Sequence, residues 1–282
     1  MLDVHPPHET VHTWRDFFIH IATIVVGLLI AVGLEQTVEA LHREHERQVL
    51  EQELDHKAEH LHRAAEVDID LEDAELKFLL AQLKDVNLMI ASHGKLNLPV
   101  RTFVAPLNGH GMQGRGGASI DTLIWDSAKA DGRVALLPEG LKGTWGQVAW
   151  RRGVYDQSEE QALELGVARK SFLAQFSDFR TPTTPDFSRM STAQLIELRA
   201  LYARGFQATL RVRRNLALLS SEADFALQNE TLDKRARDSE AYKAILASPP
   251  ERALNFAKMA DEIDAEDAAR DNTSPTAANQ KK

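Results

Sequence analysis

The most constraining feature of this chain is an uncharged run of eighteen residues near its N-terminus, Phe17 to Leu34. Apolar residues occur on every side of the helix that this run would form, whereas a surface helix of a soluble domain keeps a polar face. A helix of that length rises about 27 Å, close to the roughly 30 Å of a hydrocarbon core. The run therefore predicts a transmembrane helix over residues 17–34, preceded by a polar arm over residues 1–16.

A buried core helix and a cleaved signal peptide are the alternatives to a membrane anchor. A signal peptide needs a basic N-terminal region and small residues at its cleavage site, and Ala31-Val32-Gly33 offers such a site. The N-terminal region is poorly basic, however, because Arg15 stands beside Asp16. The apolar face also continues beyond the run to Val38 and Leu41, which favours an uncleaved anchor joined to a stalk.

The charges that flank the anchor leave its orientation open. Arg15 precedes the run, while Arg43 and Arg47 follow it, so the positive-inside rule separates the two sides poorly. The absence of cysteine is compatible with export. We expect a single-pass protein of a bacterial inner membrane with its soluble domain outside the cytoplasm.

Two small residues inside the run, Gly27 and Ala31, lie one helical turn apart on one face. Small side chains at this spacing let two membrane helices approach closely. The spacing predicts a homo-oligomer that forms through Gly27 and Ala31 within the lipid bilayer. The alternative is that both residues face lipid.

Charge divides the remainder of the chain into an acidic part and a mildly basic part. Residues 35–90 hold 15 acidic and 6 basic side chains, and residues 91–260 hold 18 and 23. So small a positive excess, without a run of Lys or Arg, is an ordinary protein surface and predicts no binding to nucleic acid. With 43% hydrophobic residues, the part outside the membrane can bury a core.

Helical periodicity predicts an all-α fold in which the transmembrane helix continues into a long acidic stalk. Residues 35–93 form this stalk and the first helices of a bundle, with a narrow apolar stripe typical of a stalk or coiled coil. A Gly/Pro-rich loop follows over residues 94–118. An antiparallel, bundle-like helical domain is predicted over residues 119–263, and a disordered tail over residues 264–282.

Local signals place the helices of the predicted domain. Pro138 is suited to the first turn of a helix, and Ser191 with Gln194 forms a capping box at the start of another. The aromatic face of the first of these helices indicates a helical core, with a ligand pocket lined by tryptophan as the alternative. On the second, the arginines are spread around the helix, which predicts a solvated face with ion pairs rather than an anion site: Arg199, Arg204, Arg211, Arg213 and Arg214.

The sharpest chemical motif lies in the stalk, where His56, Glu59 and His60 match the pattern H-x-x-E-H. In that pattern two histidines one turn apart bind zinc, and the glutamate acts as general base on the metal-bound water. Five histidines fall between positions 42 and 62, so a chance match is easy. Solvated stalk histidines and a sensory metal site, which would include the pair His42 and His45, are the alternatives to catalysis.

Several segments resemble a group of bacterial proteins that have an N-terminal membrane helix ending in an acidic residue, followed by a helical body. The resemblance covers the anchor and the middle of the chain, in four segments: Trp14-Arg15-Asp16-Phe17, the end of the apolar run up to Glu35, Trp125-Asp126-Ser127-Ala128, and Leu136-Leu137-Pro138 with Tyr155. It implies no assigned activity and no functional residues.

Two hypotheses about function follow from the sequence. The first is a non-enzymatic, membrane-anchored interaction, scaffold or sensory module that binds a protein partner and needs no cofactor. The second is a membrane-anchored, metal-dependent hydrolase that uses His56, Glu59 and His60. Without cysteine, neither a thiol nucleophile nor a thiolate metal site is available to either.

Overall fold

The computed structural model describes residues 14–92, 96, 98, 101, 120–178, 181–227 and 255–273. Most of the predicted N-terminal arm and nearly all of the predicted Gly/Pro-rich loop therefore lie outside the described residues. Five α-helices make up most of the described part, which confirms the predicted all-α class. A two-stranded antiparallel hairpin is a small addition to them.

The first helix, α1, runs without a break for 78 residues, Trp14–Ala91. Its length is about 117 Å, since each residue rises 1.5 Å. The sequence predicts either one or two helices after residue 34, and the structure has one. This agrees with the absence of Pro and Gly from residue 34 to residue 91. Residues 14–45 are exposed almost throughout, and burial begins at Leu50.

Within the described ranges, α1 is the one helix that is long and apolar enough to cross a membrane. Its apolar window is 0% buried against the rest of the chain, which separates it from the core helix of a soluble domain. A signal sequence near an N-terminus has the same length and composition.

Three helices form the body of the protein: the part of α1 beyond Leu50, α3 over Glu139–Ala174, and α4 over Thr192–Leu227. The helices α1 and α4 are antiparallel, because His62 contacts Ser220 and the later residue Asp73 contacts the earlier residue Arg213. The chain reverses between α3 and α4, so α1 and α3 are parallel. We call the end of the body near Leu50 the proximal end and the end near Ala91 the distal end.

Short elements close both ends of the body. At the proximal end, α2 (Leu123–Ala130) leads into a 3-10 turn (Arg133–Leu136) through Gly132, whose φ of 83° is one that glycine adopts readily. At the distal end, β1 (Ser177–Asp178) pairs with β2 (Thr181–Pro185), and a second 3-10 turn (Phe187–Arg189) follows.

The sequence signals for the starts of α3 and α4 are confirmed. Pro138 directly precedes α3. Before α4, the backbone N–H of Ser191 donates to Oε1 of Gln194 at 2.9 Å, and the N–H of Gln194 lies 3.4 Å from Oγ of Ser191. These two contacts are the reciprocal bonds of a capping box, which satisfies backbone donors that have no partner inside the helix.

The body has two apolar cores rather than one. The proximal core gathers side chains from α1, α2, α3 and α4 around Trp145, which is fully buried. The distal core gathers the end of α1, the hairpin region and the start of α4 around Leu79 and Leu198. Between these two cores, polar side chains of α1 meet polar side chains of α4.

The last described helix, α5, spans Phe256–Thr273 and lies against the distal end of α1. The sequence predicts a disordered tail over residues 264–282, but the first ten residues of that tail, 264–273, belong to α5. Lys84 explains the difference, since its Nζ donates to Asp264 at 2.7 Å and to Asp267 at 2.6 Å. These acidic residues are ordered by cations far away in the sequence.

We expect Leu61→Ala to lower the free energy of unfolding by about 3 kcal/mol, because Leu61 is fully buried in the proximal core and truncation leaves a cavity there. The matched control is Leu163→Ala on α3, where the leucine is 58% exposed. Its expected effect is below about 0.5 kcal/mol. Urea unfolding of the full chain in detergent measures both values, and equal losses would contradict the packing described above.

Candidate functional site

The predicted metal motif lies on the outer face of α1, away from the body. His56 and His60 are exposed, and Glu59 is engaged by the guanidinium of Arg63 one turn further along the helix. In the described part of the chain, no group of three or more His, Asp or Glu side chains is placed to hold a metal ion. The role of His56, Glu59 and His60 as metal ligands stays a prediction.

The second histidine pair lies nearer the apolar run, also on exposed helix. Nε2 of His42 lies 3.1 Å from a carboxylate oxygen of Glu46, one turn away. Such a contact on one exposed helix has the same spacing as the ion pairs of this segment, for example Arg43 with Glu39 at 3.6 Å. The structure therefore gives His42 a local partner without bringing a third metal ligand to it from the described residues.

The body holds a histidine, a serine and a glutamate in contact beside the proximal core. Oγ of Ser220 lies 2.9 Å from Nδ1 of His62 and 3.3 Å from Oε1 of Glu66. In a nucleophilic triad the carboxylate binds the second nitrogen of the imidazole and orients it. Here Glu66 contacts the serine hydroxyl instead, and Ser220 is only 5% exposed. The cluster links α1 to α4 at the level of the proximal core, beside Ala65 and Leu219, and does not have the geometry of an activated nucleophile.

An ion pair between the two apolar cores refines one expectation from the sequence. The arginines of α4 were expected on a solvated face and in ion pairs; Arg213 is in an ion pair but is buried, because it is only 2% exposed and donates to both carboxylate oxygens of Asp73 on α1. The other four arginines of the predicted set are exposed. Arg213 differs because its position on α4 faces α1, where burial of a guanidinium requires a carboxylate partner.

The tryptophan-lined pocket that the sequence left as an alternative does not form from these residues. Trp125 and Trp145 stack on each other with ring centroids 6.3 Å apart, and both are buried in the proximal core. Trp150 points outward, is 57% exposed and lies under the guanidinium of Arg151 at 4.7 Å. The aromatic face of α3 is therefore core packing, as the first expectation stated.

The densest network of charge in the described chain lies at the distal end. Three cations there hold the acidic helix α5. Lys77 donates to Glu262 and Glu266 at 2.8 Å each, and Arg101 donates to Asp267 at 2.7 Å. Arg101 also binds Asp85 through two nitrogens, which fixes it against α1. We call Lys77, Lys84 and Arg101 the distal cations.

The distal cations change the acidity of the carboxylates that they bind. The hydrogen bond from Lys77 holds the pKa of Glu262 below its ordinary value. Burial alone would raise the pKa of Asp267, but hydrogen bonds from Lys84 and Arg101 outweigh burial and lower it. Both carboxylates therefore stay ionised at neutral pH, and their charges contribute to the binding of α5.

An apolar cleft of about 590 Å³ lies beside these ion pairs, between α1 and α5. Its walls include Leu80 and Leu88 of α1 and Ile263 of α5, with Lys84 and Asp264 at the rim. Leu88 is 45% exposed, whereas Ile263 is 2% exposed. The distal end thus combines an open apolar surface with charges of both signs, which is the composition of a protein-binding surface with a polar rim.

Compared with known proteins, this chain matches no protein family, no curated protein and no solved structure. Its function is therefore inferred from its sequence and structure alone.

We expect Asp73→Ala to lower the free energy of unfolding by about 3 kcal/mol, because it takes the carboxylate from a guanidinium that is almost fully buried. Arg213→Met keeps much of the buried volume and leaves a carboxylate that is 30% exposed and can be hydrated, so its expected loss is smaller. Urea unfolding of both variants checks the order. A larger loss in Arg213→Met would contradict this account of the ion pair.

We expect α5 to leave α1 as the pH falls below about 4, because lowered pKa values stabilise the docked helix only while the carboxylates are ionised. Salt at 1 M should weaken the docking of α5 at pH 7, since the Debye length is then about 3 Å and exposed charges farther apart than this are largely screened. Spin labels at Asn87→Cys and Ala257→Cys report the distance. Labels at Asp70→Cys and Arg211→Cys are the control, and an equal change in both pairs would mean unfolding of the whole body.

Proposed function

We propose that this chain is a single-pass protein of a bacterial inner membrane whose helical body binds a protein partner outside the cytoplasm, as a non-enzymatic interaction or sensory module. One observation carries the proposal. The helix that holds the uncharged apolar run, α1, is the same helix that forms part of both apolar cores of the body.

The surface of the apolar run supports a membrane environment. Its large side chains are widely exposed, for example Ile24 at 66% and Leu29 at 65%, and no described part of the body covers them. An apolar surface of this extent on a monomer indicates contact with lipid or another protein. Eighteen such residues without a charge favour lipid, because a charged residue would be costly in the hydrocarbon core.

The continuity of α1 gives the body a defined place relative to that membrane. The helix advances about 24 Å from Leu34, at the end of the run, to Leu50, at the start of the body. This segment carries its own ion pairs along the helix, such as Arg47 with Glu44 at 2.6 Å and with Glu51 at 3.3 Å. Such pairs stabilise an isolated helix in water. The body is thereby held away from the lipid headgroups, where a partner has access to it.

The distal end is the part of the body that best fits a partner. It lies farthest from the apolar run along α1, and it combines the apolar cleft with the distal cations. A protein partner with a mixed-charge surface around an apolar centre would complement the cleft and the ion pairs of both signs at its rim. This arrangement favours binding over catalysis as the activity of the body.

The test is a membrane fractionation joined to a topology reporter. We expect the full 31.5 kDa chain to stay in the membrane after an alkaline carbonate wash, and a variant without residues 17–34 to be soluble. Alkaline phosphatase fused after Lys282 should be active, and a cytoplasm-only reporter at the same position inactive. A shortened soluble chain would show that the run is a cleaved signal peptide. An active cytoplasmic reporter would place the body on the other side.

A further inference from the structure

From the last residue of the apolar run toward the body, α1 exposes apolar side chains that nothing in the described chain covers. Leu34, Val38 and Leu41 are 62%, 65% and 67% exposed. They follow one another at intervals of four and three residues, and His45 continues the same line after four more. We call Leu34, Val38, Leu41 and His45 the seam. Since a helix turns once in 3.6 residues, all four side chains lie on one face.

The body lies on the opposite face of α1. Counting about 100° per residue, Leu50, Leu54 and Leu61 lie roughly 160–200° around the helix from Leu34. All three are fully buried in the proximal core. Exposed residues of α1 beside the proximal core include Gln52, His56, Arg63 and Asp70, which fall near the line of the seam. A second helix could therefore lie along the seam and follow α1 to about Asp70, whereas from Lys77 onward α5 packs on this side of α1.

We propose that the seam is the contact surface of a parallel dimer, in which the α1 helices of two copies of this chain pack side by side. This inference rests on the membrane anchoring proposed above. Two copies with the same anchor in the same bilayer are parallel, and their seams lie at the same height. A second copy therefore places Leu34 against Leu34 and Val38 against Val38 without any adjustment of register.

The residue types of the seam favour a second copy of this chain over lipid or an unrelated protein as its contact. Alternate spacing of four and three residues is the repeat of a coiled coil, and a β-branched residue at one core position with leucine at the other favours two parallel strands. Val38 stands between Leu34 and Leu41 in that order. The next core position is His45, and polar residues at such positions are known to fix register.

The charged residues of this segment do not oppose a second copy. Glu44, about 90° around the helix from the seam, is paired with Arg47 at 2.6 Å, and Glu39 and Arg43 pair with each other at 3.6 Å on the far side. Toward the membrane, Gly27 and Ala31 extend the same line, and the space around Gly27 is open for 4 Å. The backbones of two helices could therefore approach closely within the bilayer.

The test is a cysteine scan in native membranes, which is direct because the natural chain has no cysteine. Single cysteines at Val38, Leu41 or His45 should form a disulfide between two copies under mild oxidation and give a band at twice 31.5 kDa. Matched cysteines at Ala40, Arg43 or Arg47 lie on the far side, and we expect at least fivefold less product from them.

A second variant separates the seam from random collision in the membrane. Val38→Glu places a charge on the seam and should reduce the disulfide product of Leu41→Cys at least tenfold, whereas Ala40→Glu should leave it unchanged. Equal products on both faces, more product at Ala40, or none at any position would overturn the proposal. A crosslinked band of another mass would identify a different protein as the occupant and would overturn it equally.

Fractionation of the same samples distinguishes failure of the dimer from failure of the anchor. A chain that resists the carbonate wash but forms no seam disulfide is anchored without this dimer. A chain in the soluble fraction contradicts the anchor, and the scan on that fraction then reports on the seam alone. In that case a face-specific product shows that pairing needs no membrane, and its absence removes the dimer as well.

Discussion

The structure depends on one constraint, which is that the single helix α1 carries both the exposed apolar run and one wall of the packed body. In its first part α1 is apolar on every face, and from Leu50 onward it is buried where the other helices of the body pack on it. Neither part can move without the other, because no Pro or Gly interrupts the helix between them. Both apolar cores include side chains of this helix; α4 packs along it, and α3 packs on α4.

The body is held together by different means along its length. Apolar contacts dominate at the proximal end, where Trp145 and Leu61 are fully buried. In the middle, Arg213 and Asp73 form a bond that gains strength from burial and requires good geometry. At the distal end, α5 is held mainly by ion pairs, and Ile263 is its main buried apolar side chain. Sensitivity to salt and acid therefore increases from the proximal end to the distal end.

The sequence correctly predicted those structural features that depend on residues close together in the chain. The class of fold, the starts of α3 and α4, and the aromatic core of α3 follow from periodicity and from local signals such as Ser191 with Gln194. It failed where the deciding partner is distant. Ion pairs were expected for the arginines of α4, but the burial of Arg213 was not, since its partner Asp73 lies 140 positions away. Residues 264–273 looked disordered because they are acidic, and their order comes from Lys84 and Arg101.

The unbroken path from Leu34 to Leu50 also fixes the azimuth of the body. Each residue of a helix turns it by about 100°, so inserting one residue in this segment would swing the body by that angle about the axis of α1. Inserting seven residues would return it to within about 20° of its original direction, some 10 Å farther out. The spacing between run and body therefore encodes a direction as well as a height, and a change in either is imposed on everything that the body touches.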